Sequence, residues 1–210
     1  MRRFPNNLRR EFKIFARLNT PAKVQDFLDR IPMNFETEGD TCRAPLGVLR
    51  HNEAHCLEGA MAAAAALWYH AEKPLLLDLK TTTREKDDPH VLAIFRRRTG
   101  WGAISKTNHA ILRFRDPVYR SIRELAMSYF NEYFANNGAK TLRSYSAPFN
   151  LLRYGTKWLT ALDGLDRVND DLDRSPHFAV VKGNLILRRA DAIEKMAFNF
   201  TEWPPPRKRK

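Results

Sequence analysis

The sequence predicts an α+β fold in which helices pack on an antiparallel sheet. Three observations carry that expectation. An alanine-rich apolar stretch of helical length begins at Cys56. Two short apolar runs, Leu75 to Leu79 and Val91 to Phe95, the first interrupted by Asp78, have the length and composition of buried strands. The second run is followed, across the basic corner Arg96-Arg97-Arg98-Thr99, by Gly100-Trp101-Gly102-Ala103-Ile104, so residues 90 to 105 read as an antiparallel hairpin.

In chain order, Thr20-Pro21 supplies an N-cap and a first-turn proline, and Val24, Phe27, Leu28 and Ile31 follow at helical spacing until Pro32 ends the helix. A polar, acidic loop spans Asn34 to Asp40, and a short segment, Leu46 to Arg50, follows Pro45. In the helix from Cys56 to His70 the small residues allow close approach to neighbours, which predicts a central, buried element. Asp116-Pro117 is expected to open a long helix whose stripe includes Val118, Ile122, Leu125, Ala126, Tyr129, Phe130, Tyr133 and Phe134 and ends at Asn137-Gly138, with Asp116 as its cap. Beyond Pro148 the sequence predicts a helix around Leu151 to Leu162 and an acidic loop from Asp163 to Asp173. A hairpin through Phe178 to Leu187, turning at Lys182-Gly183-Asn184, and a last helix to about Phe198 complete the expectation.

At 210 residues the chain suits one domain with its own core, and 43% hydrophobic residues exclude a disordered chain. The longest apolar stretch, Gly59 to Tyr69, is too short to cross a bilayer. The net charge of +12 raises a nucleic-acid reading, but most of it sits at the two ends. Residues 1 to 24 carry seven Lys and Arg against one Glu, and the last four residues are all cations, which leaves about +2 for the 182 residues between. A basic groove is therefore not expected in the body of the protein, nor is a nucleic-acid partner. Residues 1–17 and the proline-rich tail 204–210 read as solvated basic ends. Two cysteines are too few for a disulfide scaffold, and the basic start lacks the apolar core of a secretory signal, so a reducing cytoplasm with both thiols free is expected.

Reactive chemistry is concentrated at Cys56, which stands at the start of the predicted buried helix, where free backbone N–H groups and the helix dipole favour a thiolate. His90 opens the second strand 34 residues later and would serve as its base if the two meet. A metal alternative comes from His51 and His55, four apart and beside the thiol. The glutamate between them is misplaced for the zinc-protease pattern and no further ligand pair follows, so neither a metal nor a cofactor is expected. His70 and His177 read as surface positions.

The order of a helix beginning at a cysteine, a strand, a strand opening with histidine and then a Gly-Trp strand resembles the transglutaminase-like core of the papain-like cysteine-enzyme superfamily. The residues that carry the resemblance are Ala54-His55-Cys56-Leu57-Glu58-Gly59-Ala60, Asp87-Asp88-Pro89-His90-Val91 and Gly100-Trp101-Gly102-Ala103-Ile104-Ser105. The run from Thr20 to Asn34, with Trp101 to Asn108 and Arg115 to Phe134, looks more closely like a bacterial family of transglutaminase-like proteins with no settled function. The resemblance covers residues 18–150 and leaves 151–203 as a C-terminal extension. It implies Cys56 as nucleophile and His90 as general base, with a third group orienting the imidazole. Where that family has an aspartate this chain has Ser105, and Asn108 offers a papain-like alternative. His55, Trp101 and His109 are the expected substrate-cleft residues, with Trp101 shielding a thioester. The implied activity is thiol acyl transfer on an amide or peptide, ending in hydrolysis or transfer to an amine; the alternative is an inert interaction module that binds an acidic partner through its basic ends.

Overall fold

The computed structural model describes residues 3–37, 39–85, 87–162, 165–183 and 185–199. Its centre is α3 (Cys56–Tyr69), buried from Leu57 to Trp68 because its small side chains let every face approach other elements. Before it come α1 (Pro21–Arg30), capped by Thr20, whose side chain accepts from Lys23 N, and α2 (Pro45–His51). The α3 helix lies on an antiparallel sheet of seven strands: β1 (Leu75–Thr81), β2 (His90–Arg96), β3 (Trp101–Ser105), β4 (Arg115–Tyr119), β5 (Leu142–Ser146), β6 (Phe149–Asn150) and β7 (His177–Ala179). The order across the sheet is β4-β3-β2-β1-β5-β7, with β6 paired to the first half of β1. Three further helices are α4 (Ile122–Met127), α5 (Asp166–Asp173) and α6 (Ala192–Asn199).

Neighbouring residues of β1 and β2 are both apolar, apart from the buried Asp78, because the sheet is covered on both faces. Leu76, Val91, Ala93, Phe95 and Ile104 join the α3 core, whereas Leu77, Leu79, Leu92, Ile94 and Ala103 join a second core closed by Leu125, Ala126, Tyr129 and Tyr133. The β2–β3 pairing sets Leu92 opposite Ser105 and Arg96 opposite Trp101, which establishes the expected hairpin. Gly102 belongs to that hairpin for lack of space: a β-carbon there would stand 2.6 Å from Arg115 O and 2.4 Å from the Phe95 ring.

Several expectations from the sequence are corrected. Residues 115–134 do not form one long helix. Arg115–Tyr119, including Asp116 and Pro117, is an edge strand, where a missing N–H costs no ladder bond, so Asp116 caps no helix. The helix starts later, at a box built by Ser121, which accepts from Glu124 N, and Glu124, which accepts from Arg120 N. The stretch from Leu151 to Leu162 is two short 3-10 turns, Leu151–Tyr154 and Lys157–Leu159, separated by Gly155 at φ 66°. The supposed acidic loop contains α5, whose Val168 and Leu172 are buried on one face; Asp163 and Gly164 lie outside the described residues. In the supposed hairpin from Phe178 to Leu187 only β7 is a strand, paired to β5, and Asn184 of its turn lies outside the described residues.

The N-terminal segment is not a solvated end. Arg3, Arg9, Arg10, Lys13 and Arg17 are exposed, but Phe4, Phe12 and Phe15 are buried in the α3 core, and Phe4 meets Trp68 edge-on at 5.4 Å between ring centres. His70 is half-buried with Nε2 2.8 Å from Phe15 O, and His177 is half-buried with Nε2 3.0 Å from Asp78 Oδ2, so neither is a plain surface histidine. The basic tail 204–210 lies outside the described residues. Among the described residues no helix is long and apolar enough to cross a membrane.

Replacing Phe12 by alanine is expected to cost about 3–5 kcal/mol in urea unfolding, the usual range for a fully buried aromatic. A loss below about 1 kcal/mol would mean that the segment is an appendage after all.

Candidate active site

The first residue of α3 is Cys56, and the residue before it, His55, is its N-cap with extended backbone at φ −87°, ψ −174°. Glu58, in the first turn, accepts from His55 N at 3.1 Å, which closes a reciprocal cap across the helix start. Glu58 is fully buried and also accepts from Thr41 Oγ1 and Arg43 N, each at 2.8 Å, so it ties the loop before α2 to the start of α3. Every one of these partners is a donor, as a buried carboxylate requires.

The second side of the site is the end of the β2–β3 hairpin. Because Leu92 faces Ser105, His90 lies two residues along on the same side, the diagonal relation that lets a long side chain reach its neighbour. His90 Nε2 is 2.6 Å from Ser105 Oγ, and His90 lines the same cleft as Cys56. Ser105 is itself clamped from α1: Gln25 Oε1 accepts from Ser105 N, and Gln25 Nε2 donates to Ser105 O, both at 2.9 Å. Gln25 is held in turn by Asp29 at 2.8 Å, and Asp29 pairs with Arg113. The loop before His90 is pinned by Tyr133 Oη, which donates to Asp88 O at 2.6 Å, and by Thr81 Oγ1, which donates to Asp87 O at 2.6 Å.

Close approach of α3 to the hairpin depends on Gly59 and Lys106. A β-carbon at Gly59 would fall 2.2 Å from Lys106 Cβ, so no other residue leaves the helix at this depth. Lys106 is buried, and its ammonium donates to Leu28 O at 3.1 Å and to Ile31 O, carbonyls at the end of α1. Burial brings its pKa down to about 8.

The two cysteines are set apart by their surroundings. Burial pushes the Cys56 thiol up, but hydrogen bonds to His55 and His90, together with their positive charge, bring it down to about 6. Burial works against a charge on His55, and the hydrogen bond to Cys56 with the nearby Glu58 charge overrides it, holding the ring near 9. Cys42 has no such partners: burial first, then the charges of Asp166, Glu58 and Glu36, push it up to about 12. Both thiols are free.

Cys56, His55 and His90 open into a cleft of about 450 Å³ that also takes in Glu36, Asp87, Asp88, Thr107, Asn108 and His109. His55 and His109 both line this cleft. Asn108 lines the cleft, and Ser105 is the residue that meets His90 Nε2. Trp101 is not in the cleft. It starts β3, the strand whose other end is Ser105, and its ring packs in the second core with Arg96 over it at 5.6 Å. Four residues at about 3.3 Å each separate it from the site, so it does not shield a thioester.

His51 ends α2, Asn52 turns left-handed at φ 54°, and His55 caps α3, so the two histidines share no helical face. A larger cleft of about 1050 Å³, between the turns at 151–159 and α5, contains neither cysteine nor histidine.

Gln25, Glu58 and Tyr133 were missed by sequence reasoning. Glu58 alone had a local signal, a carboxylate at the third position of a helix. No family model and no curated protein matches the chain.

Alkylation by iodoacetamide between pH 6 and 9 is expected to label Cys56 and leave Cys42 untouched, with a rate that rises through a midpoint near 6. Peptide mapping checks the site, and equal labelling of the two cysteines would contradict the assignment.

Proposed function

We propose that the protein is a thiol acyl-transfer enzyme with a transglutaminase-like, papain-like core spanning residues 18–150, acting on an amide or peptide. The observation that carries the reading is a cysteine at a helix start that shares a cleft with an imidazole held through Nε2 by Ser105. The chemistry proposed uses no cofactor.

The Cys56 sulfur attacks the substrate carbonyl, and the oxyanion forms beside the N–H of Cys56, which as the first helical amide has no acceptor within the helix. His90 carries a proton to the leaving amine as the C–N bond breaks, which leaves a thioester on Cys56. Water or an amine then attacks the thioester and gives its proton to His90. The product leaves as acid or new amide, and the sulfur returns as thiolate. Ser105 holds the ring in place through its hydroxyl, and Gln25 holds Ser105.

One observation favours a second reading, an inert interaction module of the same fold: Ser105 brings no negative charge to His90. Turnover separates the two.

A mixture of short peptide amides, quenched in acid and examined by intact mass, is expected to leave an acyl increment on Cys56. Cys56→Ala abolishes it, and His90→Ala reduces turnover by about 100-fold or more. Ser105→Ala keeps the adduct and lowers turnover less. An enzyme that neither acylates nor hydrolyses any amide would leave the interaction module standing.

A further inference from the structure

Ser105 orients His90 but leaves the thiolate's counter-charge unexplained, because a hydroxyl cannot stabilise an imidazolium as a carboxylate does. Carboxylates do surround the other imidazole. His55 Nε2 donates to Thr41 O at 2.9 Å and stands 3.6 Å from Glu58 Oε1 and 3.7 Å from Glu36 Oε1, and the ring lines the same cleft as the neighbouring Cys56. Capping does not account for an imidazole at this position, since serine, threonine, aspartate or asparagine caps a helix better. The loop is also built to bring these acceptors together. Glu36 adopts φ 53° and accepts from Thr41 N at 2.7 Å, and the same threonine donates its hydroxyl to Glu58.

We propose that His55, held by Glu58 and Glu36, is a second catalytic histidine that carries the positive charge opposite the Cys56 thiolate, while His90 with Ser105 moves the protons of acyl transfer. Two imidazoles thus divide work that a single histidine–aspartate pair would otherwise perform. This inference rests on the thiol-enzyme reading. The charging step is a proton transfer: the Cys56 S–H bond breaks, the proton binds His55 Nδ1, and an N–H···S hydrogen bond replaces the 3.3 Å contact that Leu57 N makes to that nitrogen. Nε2 keeps its proton on Thr41 O, and His90 takes from solvent the proton that it gives to the leaving amine and recovers it from the attacking water or amine. The ionisable groups around the pair are Glu36 and Arg43 from the loop, Glu58 from α3, His90 from β2, and Asp87, Asp88, Lys106 and His109 across the cleft. Glu36, Asp87 and Asp88 give the cleft more acids than free cations, since the Lys106 ammonium is spent on α1 carbonyls.

The test is the thiolate titration of the full chain, read by alkylation rate against pH, with histidine ring nitrogens followed by NMR in the same protein. In the unaltered protein His55 is expected to be protonated on both nitrogens at pH 7.5. His55→Asn, which retains a good N-cap, should raise the Cys56 midpoint from about 6 by at least about one unit. His90→Asn should raise it less while eliminating turnover. Glu36→Gln, outside the buried Glu58 hub, should shift the midpoint in the same direction as His55→Asn and by less. A midpoint unmoved in His55→Asn, or a neutral His55 ring at pH 7.5 in the unaltered protein, overturns the proposal and leaves the enzyme reading intact; the NMR arm decides even if the variant does not fold. A midpoint near the ordinary 8.5 in the unaltered protein removes the activated thiol and with it the reading itself.

Discussion

The candidate site depends on how deeply the first turn of α3 sinks against the end of the β2–β3 hairpin. Gly59 permits the approach, because any side chain there would occupy the space of the Lys106 stem. Lys106 then reaches past the helix to the carbonyls that end α1, so one residue fixes the spacing of α1, α3 and β3 together. With that spacing set, a sulfur at a helix start and an imidazole at a strand start meet, although neither element by itself would bring them together. The energetic cost of burying Lys106 is visible in its lowered affinity for a proton and is offset by two carbonyl acceptors.

Around that contact the protein invests most of its buried polar groups. Glu58, Gln25, Asp29, His90, Ser105, Lys106 and Thr107 are all buried. Gln25 doubles its hydrogen bonds onto the backbone of Ser105, and Tyr133 and Thr81 hold the carbonyls of Asp88 and Asp87 in the loop before His90. Such supporting bonds fix the orientation of reactive side chains and cost little when every partner is present. The larger cleft is lined by neither cysteine nor histidine.

The parts of this design that were legible in the sequence are those with local causes. The Thr20-Pro21 cap, the alanine-rich helix and the turn from Arg96 to Gly100 are encoded within a few residues, and each element lies where its residues indicate. Cys56 and His90 could be singled out because a thiol at a helix start and an imidazole at a strand start are unusual placements. Errors came where distant partners decide. Tyr129 and Tyr133 share a helical stripe with Val118 on paper, but edge pairing with β3 claims Arg115–Tyr119 and leaves Val118 exposed. The N-terminal phenylalanines were outvoted by their arginines, since charge says nothing about which side of a short turn faces the core. Trp101 shares its strand with Ser105, yet sequence proximity to a site residue is not spatial proximity when the strand runs away from the cleft. Gln25 and Glu58 act through hydrogen bonds to residues 80 and 17 positions distant, and no local pattern announces such links.

The account stands or falls on where the sulfur lies. A crystal structure of the full chain near pH 7.5 measures this most directly. The Cys56 sulfur is predicted to sit between the two imidazoles, within hydrogen-bonding distance of His55 and of His90, with Ser105 on the far nitrogen of His90. A sulfur turned into the alanine core, with His90 facing solvent or another partner, would contradict it.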